Sequence, residues 1–181
     1  SSARKSLSAS WTSYQKKGNR KVIELRIVWL KGDYVRNHER QRQASQTNCR
    51  FVLSFHFNSA DNPKAGGSEI FSNGKSDADY IANKLLTVIT EVLGTKPRGV
   101  KPAAGSRAGF LRFYPCPAVL LEPCFVSNPD EANLVHDVAV MRQLGEAIAG
   151  VLFKWLPFDA VIGLDIGHKF KTSNPSDRGA R

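Results

Sequence analysis

At 181 residues the chain is of single-domain size, and 41% hydrophobic against 23% charged residues is ordinary globular usage, which argues against disorder over its length. Twenty-six Lys and Arg against 16 acidic residues give a net charge of +10, which predicts attraction to polyanions. The basic residues are scattered and carry no zinc-finger spacing, aromatic RNA-binding signature or recognition-helix pattern, so nucleic acid is not expected as the partner. Cys49, Cys116 and Cys124 are odd in number and lack CxxC spacing, so free thiols are expected rather than a disulfide framework or thiolate zinc site.

In chain order, Leu7, Trp11 and Tyr14 form an apolar stripe that predicts a helix over residues 4–17, stopped by Gly18-Asn19. VIELRIVWL (22–30) predicts a strand, and residues 34–45 are polar enough for no more than a surface helix. FVLSFHFNSA (51–60) is a continuous apolar run broken by one histidine, the pattern of a strand covered on both faces. SEIFS (68–72) reads as a short strand, and Ser76-Asp77 as the cap of a long helix that Gly94 ends. RGVKPAAGSRAG reads as a loop, and PAVLLEPCF (117–125) as a buried strand holding one acid, Glu122. Asn128-Pro129 opens a short helix, residues 138–155 repeat apolar side chains at helical spacing, and 160–166 form a last strand. Strands alternating with helices predict a three-layer α/β fold with a mostly parallel, two-sided central sheet flanked by helices, in one domain over 1–181. No run of ~18 apolar residues is present to span a membrane, and the polar N-terminus does not read as a signal peptide.

Three ionisable side chains stand at the ends of strand-like runs: His56, Glu122 and His168. In open α/β sheets the ligand crevice lies beyond the carboxyl ends of the strands, so these three are expected to converge. Two imidazoles and a carboxylate suit Zn²⁺. A lone histidine in an apolar strand is also compatible with a hydrogen-bonded core residue, whereas a carboxylate inside VLLEPCF carries a desolvation cost that requires a partner or a function. His38 and His136 stand in polar helical contexts and are expected to be solvated, and the cysteines flanking Glu122 are read as packing residues.

The segments SFHFNSA, GGSEIF, RGVK and PAVLLEPCFVSNPDEANLV, in that order, resemble the motifs of zinc-dependent N-acetylmuramoyl-L-alanine amidases of the amidase-3 family across most of residues 34–156. The resemblance implies a peptidoglycan substrate, a Zn²⁺ cofactor, His56 and His168 as metal ligands and Glu122 as the catalytic acid-base residue. It also implies action at the bacterial cell wall, whether secreted, periplasmic or phage-delivered; the net positive charge makes anionic wall polymers candidate partners, and a monomeric chain is expected. The family begins with the strand that ends in aspartate-x-Gly-His, yet here LDIGH closes the chain at 164–168. That order is expected of a circular permutation, with the first strand moved to 160–181. Joined end to end, the 13 residues after His168 and the 56 through His56 separate the two histidines by 69 positions, near the family's spacing. The glutamate that the family uses as another ligand would fall near Ser1 or Ser2, where no acid stands. Asp177 and Glu24 fit the pattern poorly, so the third ligand is unassigned. Two alternatives stay open: a catalytically impaired amidase-like domain that binds wall fragments, and a nucleic-acid-binding domain supported by net charge alone.

Overall fold

The computed structural model describes residues 23–27, 36–157 and 160–166. The helix expected over 4–17 and His168 itself lie outside the described residues. Among the described residues, six strands form one sheet in the order β1 (Ile23–Ile27), β6 (Ala160–Ile166), β2 (Phe51–Phe55), β5 (Ala118–Glu122), β3 (Ser68–Ser72) and β4 (Pro97–Pro102). Neighbours run parallel except at β5 and β3, which are antiparallel. The last strand in sequence is therefore an interior strand, held between β1 and β2.

The period-2 alternation of a strand sends successive side chains to opposite faces, and both faces are covered here. Phe51, Leu53, Ile70, Val119, Leu121 and Ile162 point to one side and pack under α2 (Ala78–Leu93) and α4 (Val138–Trp155). α2 turns Ile81, Leu85 and Ile89 toward the sheet, α4 turns Leu144, Ile148 and Leu152, and all six are buried. Each such aliphatic side chain contributes roughly 1.5–3 kcal/mol on burial. Val52, Phe71, Ala118 and Leu120 point the other way, onto Ala44 of α1 (Asn37–Gln46) and onto Leu111 and Tyr114 around a single 3₁₀ turn, Gly109–Phe113. This two-sided burial explains why β2 and β5 read as unbroken apolar runs.

Most sequence-derived elements fall where expected, with local differences. Gly94 ends α2 in the left-handed conformation (φ 64°), but Asp77 makes no side-chain cap bond, so the helix begins without that support. Asn128 does cap α3 (Pro129–His136), accepting from the backbone N–H groups of Asp130 and Glu131. The segment expected as the RGVK loop is instead strand β4. It is an edge strand, where Pro97 and Pro102 cost no interior ladder hydrogen bond. Its register against β3 shifts between Ser68 and Ile70, so that Arg98 and Gly99 together oppose Glu69. Gly99 has φ 94°, which its missing Cβ permits, and the bulge re-aims the side chains on either side of it.

Candidate active site

The carboxyl ends of β6, β2 and β5 lie together because these strands are parallel and adjacent. Phe55 pairs with Leu121 on one side and with Ile166 on the other. The backbone N–H of His56 then donates to Leu121 O at 2.9 Å, carrying the ladder one residue further and setting His56 beside Glu122 on the neighbouring strand. His56 and Glu122 follow Phe55 and Leu121, which both face the α2/α4 layer, so the alternation aims both at the opposite, α1 side. The His56 Nε2 nitrogen is buried there. His168 lies two residues past Ile166, outside the described residues.

Glu69 is the residue that the sequence reading missed. It pairs with Glu122 across the antiparallel β3–β5 ladder, so the two carboxylates share a face, and both are buried. Like-charged groups directly opposite each other destabilise a sheet unless cations compensate, and three cations do so. Arg98 Nε and Lys101 Nζ, re-aimed by the β4 bulge, donate to Glu69 Oε2 at 2.7 and 2.6 Å. Arg107, from the loop before the 3₁₀ turn, donates through Nη2 to Glu122 Oε2 and to Asn58 Oδ1, both at 2.7 Å, and lies 3.5 Å from Glu69 Oε1. Asn58, two residues after His56, closes the network by donating to Glu69 Oε1 at 2.9 Å.

The two carboxyls are driven apart in acidity. Burial pushes Glu122 up to about 7; Arg107 opposes this, and the hydrogen bond and negative charge of Glu69 add to it. Burial also acts against ionisation of Glu69, but the hydrogen bonds from Lys101 and Arg98 outweigh it and hold this group down at about 2. A pair of nearby carboxyls with separated acidities is the pattern of an acid-base site in which one member stays ionised while the other exchanges a proton near neutrality.

A third buried carboxylate anchors the strand that leads to His168. Asp165 is fully buried and accepts from Arg40 Nη1 through both oxygens, at 2.9 and 3.2 Å, and from Ser54 Oγ at 2.9 Å. With its oxygens so engaged, Asp165 ties β6 to α1 and β2. Glu24, on β1, pairs with Val161, five residues before Ile166. At ~3.3 Å per residue that places its backbone about 16 Å below the strand end. Among the described residues no group of three His, Cys, Asp or Glu side chains is placed to hold a metal ion.

Away from the site, His38 and His136 are exposed, as expected. Cys49 and Cys124 are buried and Cys116 is half-buried, all three as free thiols. Burial pushes the Cys116 thiol up to about 11 and that of Cys124 up to about 12, which leaves them protonated and suited to packing.

The sheet gathers a histidine and a tuned carboxyl pair at the carboxyl ends of β2 and β5 and the amino end of the antiparallel β3. The chain belongs to the amidase-3 family, N-acetylmuramoyl-L-alanine amidase, whose family model matches residues 12–154. N-acetylmuramoyl-L-alanine amidase LytC of Bacillus subtilis (strain 168) is 30% identical over 117 residues, covering 61% of this chain and 22% of LytC. Among solved structures, Cwp6 from Clostridium difficile superposes with a TM-score of 0.66 at 20% identity, over 74% of this chain and 22% of that one. The N-acetylmuramoyl-L-alanine amidase AmiC2 of Nostoc punctiforme superposes with a TM-score of 0.59 at 25% identity, over 68% of this chain and 67% of that one. The chain thus spans about a fifth of the length of LytC and of Cwp6.

Proposed function

We propose that this chain hydrolyses the amide bond between the lactyl group of N-acetylmuramic acid and L-alanine in peptidoglycan, acting at the bacterial cell wall as a monomer. The observation that carries the reading is the side-by-side placement of His56 and Glu122 at the strand ends, with Glu122 held near neutrality. Family membership supplies the bond and the substrate class.

His56 and His168 would hold Zn²⁺. The donor chemistry fits, since His56 stands at the end of β2, and β6, the strand paired with it, runs toward His168. When bound, the ion supplies Lewis-acid polarisation of the amide carbonyl and a more acidic water. Glu122 does the proton work. Ionised above about pH 7, it accepts the proton of the attacking water and returns it to the departing L-alanine amine. Arg107 fixes the Glu122 carboxylate through the 2.7 Å hydrogen bond and keeps its pKa from rising further. Asn58, bonded to both Arg107 and Glu69, locks the rotamers around it.

The order of the strands supports circular permutation as the explanation of the late LDIGH segment. β6 occupies the interior position that a first strand would take beside β2, while the family model matches only as far as residue 154. A second reading, a wall-binding domain with impaired catalysis, draws on the lack of an acid in residues 1–23. Zinc content of the purified chain and dye release from labelled peptidoglycan separate the two. The amidase reading expects bound zinc, release by the wild type, and a fall of about 10²–10⁴-fold in Glu122→Gln. Wall binding with no release by the wild type contradicts it.

A further inference from the structure

The cations around Glu69 exceed what their internal partners neutralise. Among the described residues, the ion pairs of Arg98, Lys101 and Arg107 run to Glu69 and Glu122 alone. Three cations therefore face two carboxylates. Arg98 and Lys101 compete for the same oxygen, Glu69 Oε2. The nearby Glu131 makes no ion pair with them; its two oxygens accept the backbone N–H groups of Gly67 and Phe125.

These cations are built in place. The guanidinium of Arg98 lies 4.9 Å from the Phe125 ring centroid and donates to Gly66 O at 3.2 Å, while Lys101 Nζ and the Arg107 guanidinium lie 5.8 and 6.0 Å from the Phe71 ring centroid. Yet their side chains keep 38%, 39% and 50% exposure, leaving donors open to solvent beside Glu122. Preordered, partly desolvated cations with spare donors form an anion site, since little side-chain entropy remains to be lost on binding.

We propose that Arg98, Lys101 and Arg107 form the recognition site for a carboxylate of the stem peptide, on the leaving-group side of the scissile amide. This rests on the reading of the site as a peptidoglycan amidase. The chemistry selects the peptide side: once the lactyl carboxyl is tied up in the amide, the neutral sugars offer no anion, whereas acidic residues of the stem do. Arg98 and Lys101 stand on one flank only. Strand order runs β6, β2, β5, β3, β4, so β4 places them beyond Glu122, on the side away from His56, while Arg107 bridges from Glu122 back to Asn58. A substrate whose amide lies over His56 and Glu122 would carry its peptide toward β4.

The test compares two soluble muramoyl peptides that differ only at the second stem residue, one bearing a free glutamate carboxylate and the other its carboxamide. Binding is measured by calorimetry in the presence of chelator, and hydrolysis separately without it. A charge-assisted hydrogen bond predicts that the wild type binds the acid about tenfold more tightly than the amide. In Lys101→Gln and Arg98→Gln the ratio falls toward about two, while Lys101→Arg retains most of it. Hydrolysis with no acid-over-amide preference in binding overturns this inference and leaves the amidase reading intact. Preference in binding with no hydrolysis does the reverse. Loss of salt-sensitive retention on whole walls in the variants, with the acid-to-amide ratio unchanged, would assign the cations to anionic wall polymer and overturn the proposal.

Discussion

Replacing Glu122 by glutamine should stabilise the metal-free protein at high pH while removing its activity. The carboxyl titrates at about 7 in the folded chain against an ordinary value of 4.5, because burial penalises its charged form. Between those values the folded state binds a proton that the unfolded state has lost, so stability falls as pH rises through this window and then levels off. At about 1.4 kcal/mol per pH unit, the gap amounts to about 3 kcal/mol. Glu69 acts in the opposite sense: its lowered value adds stability that is present above 4.5 and lost as pH falls toward about 2. Urea unfolding followed by circular dichroism, in chelator and at pH 4.5 to 8, tests this. The difference in stability between Glu122→Gln and wild type should grow by about 3 kcal/mol in favour of the variant across the range. A difference that stays flat would refute the idea that burial costs this carboxylate its charge.

Other perturbations have equally definite outcomes. Arg40→Met strands the fully buried Asp165 and should cost about 3–5 kcal/mol by urea unfolding, with a smaller cost in a double variant that also carries Asp165→Asn. Ile89→Ala opens a cavity where α2 meets the sheet and should cost about 2–5 kcal/mol by the same assay. Gly99→Ala forces a Cβ into a φ of 94° with nothing else nearby, so strain alone should cost about 1–3 kcal/mol. If the bulge is what aims Arg98 and Lys101, that variant should also lower the binding preference for the acidic muramoyl peptide.

The parts of the fold written in apolar patterning were readable in advance. β2 and β5 appear as continuous apolar runs because both faces of the sheet are covered, and α2 and α4 as stripes because each presents one side to it. β4 was missed because RGVK, between two prolines, carries no strand pattern, and its pairing depends on an edge position that only the assembled sheet defines. Reversal of β3 relative to β5 likewise has no local signature.

The site divides along the same line. Glu122 was legible because an acid in an apolar strand requires a partner, and Glu69 in SEIFS carried the same signal at lower contrast among serines. Arg107, by contrast, is one basic residue among 26 Lys and Arg, and only the loop geometry brings it to Glu122. Arg40, the cation paired with Asp165, stands 125 residues away in a helix, a distance across which no periodicity speaks.

Mass spectrometry of purified peptidoglycan after digestion tests the central claim most directly. Cleavage at the proposed bond releases stem peptides with a free L-alanine amine and leaves glycan strands whose muramic acid carries an unsubstituted lactyl carboxylate. Products in which peptides remain attached to the glycan, with cuts in the sugar chain or within the stem, would contradict it.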